Sequence, residues 1–387
     1  MSLTSKSSIE KISARPSSDD LTDEQFMSQA LALGHWVRHR CAPNPWVGAL
    51  VVRRGEIVGQ GSTQAPGGRH AEIVALDEAA DKARDSTVYV TLEPCVHEGR
   101  TGPCTEALIS AGVTKVVVAI LDPDPKMQGR GIAALRASGI TVVTGVGKEE
   151  ADLSLAPYVH HRLTGRSWCV LKVASSLDGR SVAANGESKW ITGEASRTDS
   201  HELRRESQAI VVGSGTALLD APTLTVRTPE YVGEQPLRVL LDSRGRVRAT
   251  GPLFTTTLAP TLVFTTKSAP SKIVDEWLAS GAQVETIESG PKGKGVNLET
   301  VLGSLGKRGI VQTMFEGGPE VAGALVRGGF VNRLVAYVSG MILGTEATSS
   351  FSGVGVPGLD QATRFKLISC VAMGDDARLD FISLGES

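Results

Sequence analysis

Aromatic residues make up only 4% of this 387-residue chain, too few for the stacking platforms by which single-stranded nucleic acids are gripped. An excess of either charge is also missing. There are 40 Lys and Arg against 42 Asp and Glu, for a net charge of −2, so the basic footprint of a nucleic-acid binder is lacking and no nucleic-acid partner is expected. The cysteines, Cys41, Cys95, Cys104, Cys169 and Cys370, are sparse and odd in number, which argues against a disulfide framework and for a reducing compartment. No apolar run approaches the roughly 18 residues needed to cross a bilayer, so no membrane partner is expected. The opening residues, with Ser5, Ser7, Ser8, Ser13, Ser17 and Ser18 among mixed charges, lack the apolar core of a secretory signal. Residues 1–21 are expected to form a disordered tail and the chain to be cytoplasmic.

Hydrophobic residues at 41% and charged residues at 21% suit a soluble globular protein, and the length favours two domains with full cores. Thr22-Asp23-Glu24-Gln25 has the form of a capping box ahead of Phe26, Ala30, Leu33 and Val37 at helical spacing. Gly48 to Val52 and Ile57 to Gly59 flank Arg53-Arg54-Gly55-Glu56 as a hairpin. Helical spacing from Ala71 to Ala83, an apolar strand from Thr87 to Leu92 and a helix from Pro103 to Ala111 stopped by Gly112 follow. Further alternation of strands and helices implies a layered α/β domain over 22–147. Residues 148–166, with Pro157 and His160-His161, read as a linker, and the alternation restarts over 167–387.

The richest chemistry lies in His70-Ala71-Glu72, followed by Pro94-Cys95 and Pro103-Cys104. One imidazole and two thiolates make three zinc ligands, the number a catalytic site uses when it leaves a fourth position for water. Glu72 stands where it can take a proton from that water and hand it to a leaving amine, the arrangement of zinc deaminases. A structural site with His97 as fourth ligand, or an unrelated histidine and two buried thiols, are the competing readings. His35, His39, His160, His161 and His201 read as surface or structural residues. Asn44, between Pro43 and Pro45, is suited to hydrogen-bond the edge of a ring.

The C-terminal half has no GxGxxG fingerprint, which disfavours an ordinary dinucleotide-binding domain. Glu316-Gly317-Gly318-Pro319 instead ends a strand and opens a helix, where bare amides suit a pyrophosphate or merely form a tight turn. Arg204 and Arg227 can grip a phosphate in bidentate fashion, although arginines on polar helices are usually solvated. Lys172 within an apolar strand is costly unless it points into a polar site.

Taken together these motifs resemble the bifunctional riboflavin-biosynthesis deaminase-reductases of bacteria. The resemblance runs over about residues 23–385. It rests on Pro43-Asn44-Pro45, His70-Ala71-Glu72, Thr91-Leu92-Glu93-Pro94-Cys95, Gly99-Arg100-Thr101-x-Pro103-Cys104, Lys172-x-Ala174-x-Ser176-Leu177-Asp178-Gly179-Arg180, Gly186-Glu187-Ser188-x-Trp190, Leu224-Thr225-Val226-Arg227 and Glu316-Gly317-Gly318-Pro319. It implies a cytidine-deaminase-like three-layer α/β/α domain followed by a dihydrofolate-reductase-like α/β domain. The implied cofactors are one Zn2+ per deaminase domain, on His70, Cys95 and Cys104, and NADPH. The implied substrate is a phosphorylated ribosylaminopyrimidine, 2,5-diamino-6-ribosylamino-4(3H)-pyrimidinone 5′-phosphate, deaminated with Glu72 as shuttle and then reduced from ribosyl to ribityl. By motif position, Ala174, Trp190, Thr216, Asp220, Ser243, Gly318 and Pro319 contact NADPH, and Ser188, Arg204, Leu224, Arg227 and Glu316 hold the substrate. Lys172 and Asp220 are the candidates for supporting hydride transfer, and a homo-oligomer is expected. Ala42, Thr63, Val96, Glu98, Gly102 and Ala221 depart from the usual family pattern, which leaves a specialised paralogue acting on a related pyrimidine as the alternative.

Overall fold

The computed structural model describes residues 21–96, 102–125, 127–228, 231 and 233–384. The expected tail (apart from Leu21), His97, Glu98 and Gly99-Arg100-Thr101 lie outside the described residues. Contacts divide the chain into two compact units, one of residues up to Val37 with 45–156, the other of 38–44 with 157–387.

The first unit contains α1 (Asp23–Cys41) as far as Val37, β1 (Gly48–Arg53), β2 (Glu56–Ser62), α2 (Ala71–Ala79), β3 (Thr87–Leu92), α3 (Cys104–Ala111), β4 (Lys115–Ile120), α4 (Arg130–Ala137), β5 (Thr141–Thr144) and the start of α5 (Lys148–Thr164). The capping box closes α1: the Thr22 amide donates to Gln25 Oε1 at 2.8 Å and the Gln25 amide to Thr22 Oγ1 at 3.3 Å. Arg54 and Gly55 both take positive φ, 52° and 81°, the pairing a tight hairpin between right-twisted strands needs. The sheet order is β2-β1-β3-β4-β5, with β1 antiparallel to both neighbours and β3, β4 and β5 parallel.

Glycines set how closely the helices approach this sheet. A Cβ on Gly59 or Gly61 would lie 2.2 Å from the Ala75 or Ala71 carbonyl oxygen of α2, and one on Gly48 would lie 1.8 Å from the Ala30 oxygen of α1. In register, Gly61 opposes Ala49 and Gly59 opposes Val51, whereas Gly48 opposes Ser62. Side chains alternate across a strand, so α2 and α1 cover opposite faces and the unit is a three-layer α/β/α sandwich. Helix α5 runs through the segment read as a linker, and the division between units falls within it, between Ala156 and Pro157. Ala151, Leu155 and Tyr158 are buried at helical spacing, a stripe that helical periodicity explains once Pro157 is accommodated.

The second unit contains β6 (Trp168–Ser176), β7 (Arg180–Val182), α6 (Glu194–Arg205), β8 (Ala209–Gly213), α7 (Ser214–Asp220), β9 (Leu237–Leu241), β10 (Thr261–Thr265), α8 (Ser271–Ala279), β11 (Gln283–Thr286), α9 (Leu298–Lys307), β12 (Gln312–Phe315), α10 (Pro319–Arg327), β13 (Arg333–Ser339), β14 (Thr348–Ser349), β15 (Phe365–Met373) and β16 (Asp376–Ser383). Its main sheet runs β11-β10-β9-β8-β12-β6-β13-β16-β15, parallel from β11 to β13, with β16 antiparallel to β13 and β15. The core lies on both faces. Cys169, Leu171 and Val173 of β6 pack with Leu302 and Leu325 from α9 and α10, while Val170 packs with Leu203, Ala217 and Trp277 from α6, α7 and α8.

Candidate active sites

In the first unit three chain segments deliver the sulfur and nitrogen donors to one point. His70 is the N-cap of α2, Cys95 lies just past β3 and Cys104 opens α3. His70 Nδ1 is 3.2 Å from Cys104 Sγ and 3.5 Å from Cys95 Sγ, and all three donor atoms lie within 4.8 Å of one another. Zinc–sulfur bonds of about 2.3 Å and zinc–nitrogen bonds of about 2.0 Å at a tetrahedral angle put N and S about 3.5 Å apart, so the donor set and its spacing fit zinc. Cys95 is anchored further by its carbonyl, which accepts from the Thr105 amide and hydroxyl, each at 3.2 Å.

Among the protein groups alone, the electrostatics favour the thiolate at Cys95 and not at Cys104. Hydrogen bonding from Cys104, with a second bond from His70, lowers the Cys95 thiol, and the bond shared with Cys95, together with burial, pushes Cys104 up. The bond with Cys95 raises His70 above the ordinary imidazole range against the effect of burial. Glu72, only 4% exposed, is pushed up by burial to about 7. Asn44 sits half-buried in the short connection between α1 and β1, its amide donating to the Cys41 carbonyl at 2.8 Å.

In the second unit the carboxyl ends of parallel strands converge, where open α/β sheets place ligands. Lys172 and Ala174 are half-buried and alternate with buried Leu171 and Val173 on β6, so they share a face. Leu171 is in register with Phe315 of β12, which brings Lys172 beside Glu316. Arg204 of α6 meets Glu316 through both carboxylate oxygens, one arm at 2.8 Å, and also donates to the Thr225 carbonyl at 3.1 Å. Burial alone would raise Glu316, but Arg204, Lys172 and His201 hold it at about 2. Burial lowers Lys172; Glu316 opposes that shift and Arg204 adds to it.

His201, expected to be a surface or structural residue, belongs to this cluster. It lies one helical turn before Arg204, accepts from the Arg227 amide at 3.3 Å, and is pushed down to about 4 by burial and then by Arg204 and Arg227. That spacing of three on one polar helix was the available signal. Arg227 is exposed and Leu224 is buried at a positive φ of 54°. Tyr337, missed altogether, is fully buried beneath Lys172, whose Nζ lies 5.7 Å from the ring centroid; its hydroxyl donates to Asp199 at 2.6 Å.

The glycine turns lie on hydrogen-bonded neighbours, β8 and β12. A Cβ on Gly213 or Gly317 would come within 2.8 or 2.6 Å of Val321, so both loops need bare backbone, while a Cβ on Gly215 would meet nothing. Gly318 is the N-cap of α10 without a side-chain cap and faces Thr216, an edge whose amides fit a pyrophosphate. Ser243 follows β9, its carbonyl accepting from Thr266 Oγ1 at 2.7 Å. Trp190 is 66% exposed with the Arg197 guanidinium 4.5 Å from its ring centroid, and Ser188 is on the same connection. Asp220 pairs with Lys189 at 3.2 Å; the charged neighbours that shift Lys172 are Glu316 and Arg204.

Residues 167–379 match the family described as RibD C-terminal domain, and residues 21–120 match the cytidine and deoxycytidylate deaminase zinc-binding region. The chain is 41% identical over 367 residues to the riboflavin biosynthesis protein RibD of Chlamydia pneumoniae, a match covering 93% of this chain and 96% of that protein. Among solved structures, Acinetobacter baumannii RibD superposes with a TM-score of 0.82 at 35% identity, over 93% of this chain and 98% of that one. A Thermotoga maritima protein described as a diaminohydroxyphosphoribosylaminopyrimidine deaminase/5-amino-6-(5-phosphoribosylamino)uracil reductase does so with a TM-score of 0.82 at 32% identity, over 93% and 98%.

Proposed function

The chain belongs to the RibD family of riboflavin biosynthesis proteins, and on that premise we propose how its two sites divide the work. It is a bifunctional riboflavin-pathway enzyme, a deaminase joined to a reductase. The first site converts 2,5-diamino-6-ribosylamino-4(3H)-pyrimidinone 5′-phosphate to its deaminated product, and the second reduces that product's ribosyl group to ribityl. The convergence of His70, Cys95 and Cys104 beside a buried Glu72 carries the first assignment.

One Zn2+ held by those three residues supplies the Lewis acidity that makes water nucleophilic near neutral pH. Glu72 takes the proton that water gives up on adding to C2 and delivers it to the departing amine, so ammonia leaves as the carbonyl forms. Burial of Glu72 favours its protonated form, which the return of the proton to the amine requires. By motif position Asn44 is assigned to the pyrimidine edge.

NADPH supplies the hydride of the second reaction. Ala174, Trp190, Thr216, Asp220, Ser243, Gly318 and Pro319 line its site, and Ser188, Leu224, Arg204, Arg227 and Glu316 hold the phosphorylated substrate. Reduction adds a hydride to C1′ and a proton to the ring oxygen released as the sugar opens. Lys172, whose charge is balanced by Glu316, is the cation placed to hold that oxygen, with Asp220 assigned to the cofactor side because it pairs with Lys189.

A homo-oligomer is supported by β15, an edge strand exposed over most of its length, with Leu367 50% and Val371 47% exposed; such an edge invites pairing. A cytoplasmic setting agrees with cysteines that are all free, and no helix among the described residues is long and apolar enough to cross a membrane. The direct test is mass spectrometry of the diaminopyrimidine phosphate incubated with purified protein. Loss of one amine without NADPH, and a further gain of two hydrogens with it, are expected. No mass change in either condition would refute the assignment.

A further inference from the structure

Glu93 lies two residues before Cys95, is 4% exposed, and has no part in the proton chemistry above. Its carboxylate is fully engaged by backbone. Oε2 accepts from the Asp122 amide at 3.2 Å and the Gly129 amide at 2.9 Å, and Oε1 accepts from Gly131 at 2.8 Å and Ile132 at 3.3 Å. These donors come from the connection after β4 and the first turn of α4, so one side chain ties the end of β3 to a segment far along the chain. The adjoining backbone is packed equally tightly, since a Cβ on Gly131 would lie 2.1 Å from the Pro94 carbonyl oxygen. On the other side, the Cys95 carbonyl is held by Thr105 and its sulfur by the Cys104 amide at 3.4 Å. Cys95 is thus clamped between α4, through Glu93, and α3.

We propose that Glu93 is a positioning residue for the metal centre: by gripping the backbone at Asp122, Gly129, Gly131 and Ile132 it fixes where the Cys95 sulfur stands, and thereby sets how tightly zinc is retained. The inference rests on the assignment of His70, Cys95 and Cys104 as ligands. A carboxylate is an acceptor at both oxygens, whereas a glutamine offers one acceptor and an NH2. Glu93→Gln therefore keeps at most one pair of these bonds and turns donors toward the other pair of amides. Residues that orient metal ligands typically change metal affinity by about 10–100-fold when replaced.

The test is a chelator chase on the full-length, zinc-loaded protein, with cobalt substitution as a second readout. Glu93→Gln is expected to release zinc at least roughly tenfold faster than wild type and to shift the d–d bands of the cobalt form, while NADPH oxidation with the deaminated substrate stays at the wild-type rate. If the deaminase unit of Glu93→Gln does not fold, Glu93→Asp, which keeps the carboxylate but shortens its reach, is measured against the same criteria. An unchanged release rate and cobalt spectrum, with or without a lowered melting temperature of the zinc-free protein, would show that Glu93 only stabilises the fold and overturn the proposal. Wild-type protein that binds no zinc, or Cys104→Ser that retains it as wild type does, would instead sink the ligand assignment and this inference with it.

Discussion

Replacing Glu316 by Gln tests the electrostatic logic of the reductase site. Its side chain is 12% exposed, as is that of Arg204, and the pair is bidentate, with Lys172 alongside. Glutamine keeps the shape but leaves two cations without a counter-ion, and breaking a buried pair from one side costs about 3–5 kcal/mol. The pH dependence gives a second, independent magnitude. Glu316 is held at about 2 against an ordinary 4.5, so its folded-state pKa is depressed and its contribution is present above the unfolded value and lost as pH falls toward 2. A shift of that size is worth about 3 kcal/mol, of which about 2 should be gone by pH 3. Urea titration followed by hydrogen exchange in peptides from β6 and β12 reports on this unit alone. The gap between wild type and Glu316→Gln should be largest near pH 7 and narrow steadily between pH 4.5 and 3. A gap below about 1 kcal/mol at pH 7, or one that stays constant down to pH 3, would refute the reading of Glu316 as the counter-charge of Arg204 and Lys172.

The two activities should separate by mutation: Glu72→Gln is expected to lower ammonia release at least a hundredfold while sparing NADPH oxidation with deaminated substrate, and Lys172→Ala to do the reverse. Equal loss of both activities in either variant, measured by coupled ammonia and NADPH assays, would count against independent sites. Arg238 is fully buried with no acidic partner among the described residues, its guanidinium donating to the Pro252, Thr255 and Ala259 carbonyls and to Thr261 Oγ1 at 2.6–3.1 Å. Arg238→Ala orphans those acceptors and should cost about 3 kcal/mol or more in denaturant unfolding; a loss under about 1 kcal/mol would mean the 252–261 loop holds itself. Charging the exposed edge with Leu367→Asp and Val371→Asp should lower the assembly state seen by sedimentation, and an unchanged mass would remove β15 from the interface.

What could be read from the sequence, and what could not, follows how far apart the interacting residues stand. The cluster of His70, Cys95 and Cys104 was legible because each residue sits at a local landmark: a helix N-cap, the end of an apolar strand, and a cysteine after a helix-opening proline. Hairpin, strands and caps were likewise local, and Thr22 with Gln25 formed the capping box their spacing implied. The short strands β7 and β14 and helix α7 went unread, because a few residues carry no period and Gly213-Ser214-Gly215 reads as a turn. The clamp on Cys95 was invisible for a different reason. Glu93 finds its partners 29 to 39 residues later, Arg204 meets Glu316 across 112 residues, and Tyr337 reaches Asp199 across 138. No window of sequence distinguishes such an arginine from a solvated one. The residues proposed to do the chemistry are therefore announced by local pattern, while the partners that hold them, such as the amides around Glu93 and the Arg204–Glu316 pair, are defined only once the sheet has set its register. If that division is real, variants such as Glu93→Gln and Glu316→Gln should change affinity, pH profile or stability without removing any motif that marks the family.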